Sequence, residues 1–164
     1  VDAALWLARE VMPLVWRAEP ALPLVLAGSA MPGVVRGLAG PLVEVLGHVA
    51  VTSELFGRVR LTVAPLRFGA GVKGKVLDSL AAGVPVAMTP VAAEGAGLPD
   101  TVSAFVSGTA EGLAEHILRL HGDAAANGEA ASAGVGYVAS TCTPAHVDAA
   151  LHIAVGRPAR IRAA

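Results

Sequence analysis

The chain has 164 residues, 54% of them hydrophobic and 15% charged, a balance that supplies a sizeable core and excludes intrinsic disorder. Twelve Lys and Arg against thirteen Asp and Glu leave a net charge of -1, which provides no global field for nucleic acid and excludes it as the expected partner. Mean hydropathy is +0.63, yet the longest apolar runs, such as residues 84–93, are cut by Pro or Gly before the roughly 18 residues of a membrane span, so no transmembrane segment is expected.

A single cysteine, Cys142, excludes an internal disulfide framework and a multi-cysteine zinc site. Val1 is not Met, and Asp2, Arg9 and Glu10 do not make the basic and apolar regions of a signal peptide. The expectations are a fragment of a longer protein and a reducing, cytoplasmic setting.

In chain order, Leu5, Trp6, Ala8, Val11, Met12, Val15 and Trp16 recur at helical intervals, predicting a helix over residues 2–16 with Asp2 as its N-cap. Residues 22–27, ending at Gly28, have the length and composition of a buried strand, and a helix over 31–39 follows. A strand at 43–46, a short helix at 52–56 and a strand at 59–64 continue the alternation. The Gly-rich stretch 68–74 then leads into a helix over 72–82, stopped by Gly83 as a left-handed C-cap with Pro85 beyond it. A strand at 84–88, a loop at 91–99, an edge strand at 103–106 and a helix at 109–120 complete the alternating part. Ala-rich helices at 124–133 and 144–155 are expected outside the sheet.

Strands separated by helix-length segments call for an α/β domain, a doubly wound parallel sheet of Rossmann-like type with helices on both faces. Its ligands are expected at the C-terminal ends of the strands. Such a unit normally begins on a strand, whereas the first element here is a helix. The expectation is therefore a nucleotide-binding domain at 1–156 apparently lacking its first strand, followed by a basic C-terminal tail at 157–164 carrying Arg157, Arg160 and Arg162. The tail is the candidate place for peripheral membrane contact, set against a plain solvated terminus.

The informative stretch is Pro65-Leu-Arg-Phe-Gly-Ala-Gly-Val-Lys-Gly-Lys-Val-Leu-Asp-Ser-Leu-Ala-Ala-Gly-Val-Pro85, which places glycines and two lysines between a strand and a helix. Glycines let backbone N–H groups approach an anion closely, and a helix start adds free amides and the positive end of its dipole. Gly69, Gly71 and Gly74 fit the dinucleotide pattern G-x-G-x-x-G with Glu94 as ribose acid, but four residues separate Ala64 from Gly69 where that pattern needs a tight turn. Gly69 to Lys75 fits G-x-x-x-x-G-K, but Val76 stands where a hydroxyl must hold magnesium. In a third reading Gly71, Lys75 and Asp78, at i, i+4 and i+7, share one helix face about 10 Å long, the reach from a diphosphate to the ribose of one nucleotide. Diphosphate would lie on the amides near Gly71 and Val72, with Lys73 or Lys75 neutralising charge and Asp78 accepting ribose hydroxyls.

That stretch from Ala64 to Val86, with Thr89-Pro-Val-Ala-Ala-Glu-Gly95, resembles the donor-binding half of retaining, family-4-type glycosyltransferases. The resemblance extends, less specifically, over nearly the whole chain. It implies one half of a two-domain GT-B architecture, the C-terminal, donor-binding domain, partnered by an N-terminal acceptor-binding domain absent from this sequence. It implies a nucleoside-diphosphate sugar as substrate, sugar transfer with retention to an unidentified acceptor, no metal and no cofactor, and a setting such as bacterial polysaccharide biosynthesis. Gly69, Gly71, Val72, Lys73, Lys75, Asp78 and Glu94 become the donor-binding set, while Gly47, His48 and Val49 fall near the nucleobase. Asp78 replaces the family's usual ribose glutamate, and Ala70 stands where its sugar-associated glutamate would be. The departure keeps alternatives open: a non-catalytic binding or interaction module, a sugar-nucleotide epimerase, or, further behind, a dinucleotide reductase.

Outside this set, Arg67 is either a phosphate contact or a shield for the loop. Trp6 and Trp16 are expected as core or interface anchors. His48, His116, His121, His146 and His152 have no metal-ligand spacing, and Cys142 has no evident base partner.

Overall fold

The computed structural model describes residues 1–156; the basic tail at 157–164 lies outside the described residues. The chain opens on α1 (Asp2–Trp6), a π-helical turn (Leu7–Val11) and α2 (Met12–Ala18), continuous with one another. The sequence pattern gives the helix but not its π turn, whose cause is Pro13. Proline has no N–H and its ring crowds the carbonyl four residues back, and widening the preceding turn relieves that conflict. Val11 and Val15 are fully enclosed, and the Trp16 indole N–H donates to the Leu22 carbonyl at 2.8 Å. Asp2 does not cap the helix; Val1 occupies that position, and the Asp2 carboxylate turns to Arg67.

Next come β1 (Leu24–Ala27), α3 (Gly33–Arg36), β2 (Val43–Gly47), α4 (Thr52–Phe56) and β3 (Thr62–Ala64). The helix expected at 31–39 shrinks to one turn because Pro32 sets its start and Gly37 its end. After β3 follow α5 (Gly74–Ala81), β4 (Val86–Met88), α6 (Pro90–Ala93), α7 (Asp100–Ser103), α8 (Ala110–Gly122), α9 (Ala124–Thr141) and α10 (Pro144–Ala154). Strands β3 and β4 are shorter than expected. Pro85 cannot donate to a ladder, so pairing begins with the Thr62 N–H on the Pro85 carbonyl. Gly83 takes φ +71 directly after α5, as the C-cap reading requires.

Two expectations are corrected beyond β4. Residues 91–99 are not all loop, because the Thr89 side chain accepts the Ala92 N–H and nucleates α6. The edge strand at 103–106 is absent: Asp100 follows Pro99 into α7, leaving one bridge between Met88 and Val106.

The four strands form two parallel pairs, β1 with β2 and β3 with β4. Leu24, Val25 and Leu26 face Val43, Glu44 and Val45, and the register then shifts so that Ala27 faces Gly47. Successive residues of a strand point to opposite faces, and in β4 Ala87 joins one core cluster while Val86 and Met88 join the other. Both faces of this pair are therefore covered, the signature of an α/β layer arrangement. The first cluster packs the opening helices and α8 against residues of all four strands. The second packs Val76 and Leu80 of α5 against α6, α7 and α9. Ala126 and Ala130 of α9 join the first cluster, and the small residue Gly134 brings α9 close to Leu80 of α5.

Candidate functional site

The Gly-rich segment leaves the end of β3 and enters α5. Its base is fixed. The Thr89 hydroxyl donates to the Leu66 carbonyl, and the Thr89 N–H donates to the Ala64 carbonyl at 3.2 Å, tying the exit of β3 to the exit of β4. Beyond it the loop is open: Phe68, Gly69, Ala70, Gly71 and Val72 are all exposed. Gly69 and Gly71 adopt φ +141 and +75, conformations that side chains resist, so the glycines shape the loop as well as baring its backbone.

The expected helix over 72–82 starts later, at Gly74, because Lys73 is still extended at φ -92, ψ 97. Gly71 and Val72 therefore stand on the loop ahead of α5. Of the expected face, only Lys75 and Asp78 lie on the helix. The Gly74 and Lys75 amides, at the first turn, have no acceptor within the helix. The Lys73 ammonium folds back and donates to the Gly71 carbonyl, closing the loop on itself. Lys75 and Asp78 are exposed, and among the described residues no ion pair joins them.

Glu94 follows α6 and is exposed, and its neighbour Gly95 lies against the loop: a Cβ built on Gly95 would be 3.7 Å from Val72 Cγ2. The strand exits thus bring the loop after β4, with Glu94, beside the loop after β3. The Tyr137 hydroxyl of α9 holds the same segment by donating to the Ala96 carbonyl.

Two open hollows lie at the C-terminal ends of β1 and β2. One, of about 440 Å³, is lined by Gly28, Ala30, Met31, Arg36, Ala39, Val45, Leu46, Gly47 and His48. The other, of about 250 Å³, is lined by Leu46, His48, Val49, Glu54, Leu55 and Arg58. All three residues expected near a nucleobase, Gly47, His48 and Val49, border this pair of hollows. Neither hollow reaches Gly71, Lys75 or Asp78. Gly28, Met31, Arg36 and Arg58 were not singled out from sequence, although Gly28, closing an apolar strand, was a signal that this end of β1 is a ligand position.

Among the described residues no hydrogen bond joins the Arg67 guanidinium to the glycine loop. Its Nε donates to Asp2 Oδ2 at 2.9 Å, its Nη2 donates to Asp2 Oδ1, and its guanidinium lies 5.7 Å from the centre of the Trp6 ring. The hydrogen bonds hold the Asp2 carboxyl below the usual carboxylate range and push the Arg67 guanidinium up. Trp6 is buried, as expected of an anchor. His116 stands edge-on to Phe105 with ring centres 5.8 Å apart, and Cys142 is exposed. Among the described residues no cluster of three or more His, Cys, Asp or Glu is placed to hold a metal ion, and no helix is long and apolar enough to cross a membrane.

The family described as glycosyl transferases group 1 matches residues 1–123, three quarters of the chain. The chain belongs to that family. The match takes in α1 through α8, and with them the glycine loop, both hollows and Glu94, while α9 and α10 lie beyond it. No curated protein and no solved structure matches this glycosyl transferase domain. Its mixed α/β layers with short parallel strand pairs suit a Rossmann-like glycosyl transferase domain.

Proposed function

We propose that this domain is the donor-binding half of a retaining, family-4-type glycosyltransferase, which moves a hexosyl group from a nucleoside-diphosphate sugar to an acceptor held by a second domain of a GT-B pair. The observation that carries the reading is the loop between β3 and α5: open backbone at Gly71 and Val72, free amides at the first turn of α5, and Lys73 and Lys75 at the same place, all inside the family match. Such a cradle stabilises the charge that grows on a departing diphosphate without a metal. Lys73 leaves the Gly71 carbonyl to meet phosphate. Asp78, one turn further along α5 than Gly74, takes the ribose, and the hollows at Gly47, His48 and Val49 take the base.

In this reading the two strand pairs are halves of one doubly wound sheet, with a further strand belonging between β1 and β3. The support is that residues of both pairs line a single core and that Asp2, at the start of α1, is bonded to Arg67, just past the end of β3. The domain at 1–156 working without its acceptor half would bind nucleotide weakly and transfer nothing.

Titration calorimetry with uridine and guanosine diphosphates tests the reading. Binding of either, weakened by Lys73→Ala and by Asp78→Ala, is the expected result. Failure of both with folded protein favours the second reading, a non-catalytic module, to which Ala70 in place of a carboxylate already points. An epimerase would instead convert the bound sugar nucleotide in the absence of any acceptor.

A further inference from the structure

Asp2 and Trp6 are four residues apart on α1 and so lie on one face of its first turn. Together they engage a single side chain, 65 positions from Asp2 and 61 from Trp6: the carboxylate accepts both arms of the Arg67 fork, and the buried indole lies 5.7 Å from the same guanidinium. Fork and flat face are the two features of arginine that lysine lacks. The position of Arg67 gives this contact its meaning. Residues 64–66 are tied to β4 through Thr89, and Arg67 is tied to α1. From Phe68, 71% exposed, to Gly71 no side-chain hydrogen bond among the described residues leaves the loop, and the Lys73 ammonium bonds within it. Fixed chain therefore gives way to free chain between Arg67 and Phe68.

We propose that Asp2 and Trp6 form a receptacle that clamps Arg67 as the hinge of the glycine loop, making Arg67 a positioning residue for the donor diphosphate instead of a ligand to it. The inference rests on the donor-site reading above. Opening the clamp frees Arg67 and lengthens the mobile segment, so a bound anion must then order more chain and loses affinity.

The experiment compares the wild-type chain with Asp2→Asn, Arg67→Gln, Arg67→Lys and the double variant Asp2→Asn/Arg67→Gln. Backbone 15N relaxation is followed at residues 67–73, and calorimetry is run with uridine and guanosine diphosphates. The clamp predicts lower backbone order at 67–73 in every variant, with β4 unchanged, and no rescue by Arg67→Lys. It predicts that Asp2→Asn and Arg67→Gln weaken nucleotide binding by the same factor, about two- to tenfold, from the cost of ordering freed side chains. The double variant should be no weaker than either single one, because both remove one interaction. Loss of binding in Arg67→Gln with none in Asp2→Asn would make Arg67 a phosphate ligand and overturn the proposal. Unchanged backbone order at 67–73 in Asp2→Asn overturns it as well. If the wild type binds neither nucleotide, the donor reading fails, while relaxation still decides the hinge. If Arg67→Gln does not fold, Asp2→Asn decides through relaxation alone.

Discussion

The helix that carries Lys75 and Asp78 is held from behind by α9, and the tightest point of that seam is Leu80 against Gly134. A Cβ built on Gly134 would come within 2.8 Å of Leu80 Cδ2 and 3.3 Å of Leu80 Cβ, and Leu80 is 1% exposed. Leu80→Ala removes the buried branch and should cost about 3 kcal/mol, within the 2–5 usual for leucine truncation in a core. Gly134→Ala gains about 1 kcal/mol of helix propensity but meets a side chain with nowhere to go, an overpacking cost of about 1–3 kcal/mol, so a net loss of about 1 kcal/mol is expected. In the double variant the clashing Cδ2 is gone, the new methyl partly fills the void, and the propensity gain remains. The pair should therefore be more stable than the sum of the single changes by about 2 kcal/mol, a coupling expected only of residues in contact. Urea unfolding of the four proteins, with their m-values compared, measures it. Additive effects, or a stabilising Gly134→Ala in the wild-type background, would refute the close seam between α5 and α9.

Three further predictions concern the site and its supports. Thr89 is buried, its hydroxyl serves the Leu66 carbonyl, and its oxygen accepts the Ala92 N–H at 3.3 Å, so Thr89→Val should cost about 1–3 kcal/mol in urea unfolding through unpaired buried groups. Asp2 has a folded pKa depressed below 3.8 by its bonds to Arg67, so its contribution to stability is present above that value and is lost as pH falls through the lower folded one. The stability difference between wild type and Asp2→Asn, followed by chemical unfolding, should accordingly be constant near neutrality and shrink below pH 3.8; a difference that grows on acidification would reverse the assignment. Lys73→Ala and Lys75→Ala should each weaken nucleoside diphosphate binding by about ten- to a hundredfold, the worth of one charged hydrogen bond, with little change in unfolding. Calorimetry showing wild-type affinity in both would remove the lysines from the site.

The α/β alternation was legible because it rests on local signals that the tertiary structure obeys: Gly83 takes the left-handed cap it was assigned, Thr109 caps α8 through the Gly112 N–H, and residues 52–56 form α4 as read. The misreadings come from effects that periodicity does not contain. The π turn before Pro13 is a response to a missing donor, and strand ends at β3 and β4 depend on which partner has an N–H to give. Residues 103–106 have strand composition, but Pro99 and Asp100 start a helical turn that takes precedence. The glycine loop between β3 and α5, with Lys73 and Lys75 on it, followed from the sequence as a local feature, whereas the approach of the Glu94–Gly95 segment to Val72 is set by the exits of β3 and β4 and leaves no mark in the spacing. The fate of Arg67 did not follow either, because its partners Asp2 and Trp6 are 65 and 61 positions away and pairing over such separations leaves no local mark. The spacing places Gly71 on the helix face because spacing only counts residues, whereas φ +75 at Gly71 and an extended Lys73 delay the start of the helix to Gly74. The hollows beside His48 needed the strand-end rule applied to Gly28, where no charged residue drew notice.

The proposed receptor for the diphosphate of a sugar nucleotide is the backbone between Gly71 and Lys75. The most direct measurement is two-dimensional NMR of isotope-labelled protein during titration with uridine diphosphate and, separately, guanosine diphosphate. Saturable shifts of the amides of Gly71, Val72, Gly74 and Lys75 are expected for at least one nucleotide, with His48 moving in the same titration. Resonances of those loop amides that stay fixed while others move, or that ignore both nucleotides in a folded sample, would contradict that assignment.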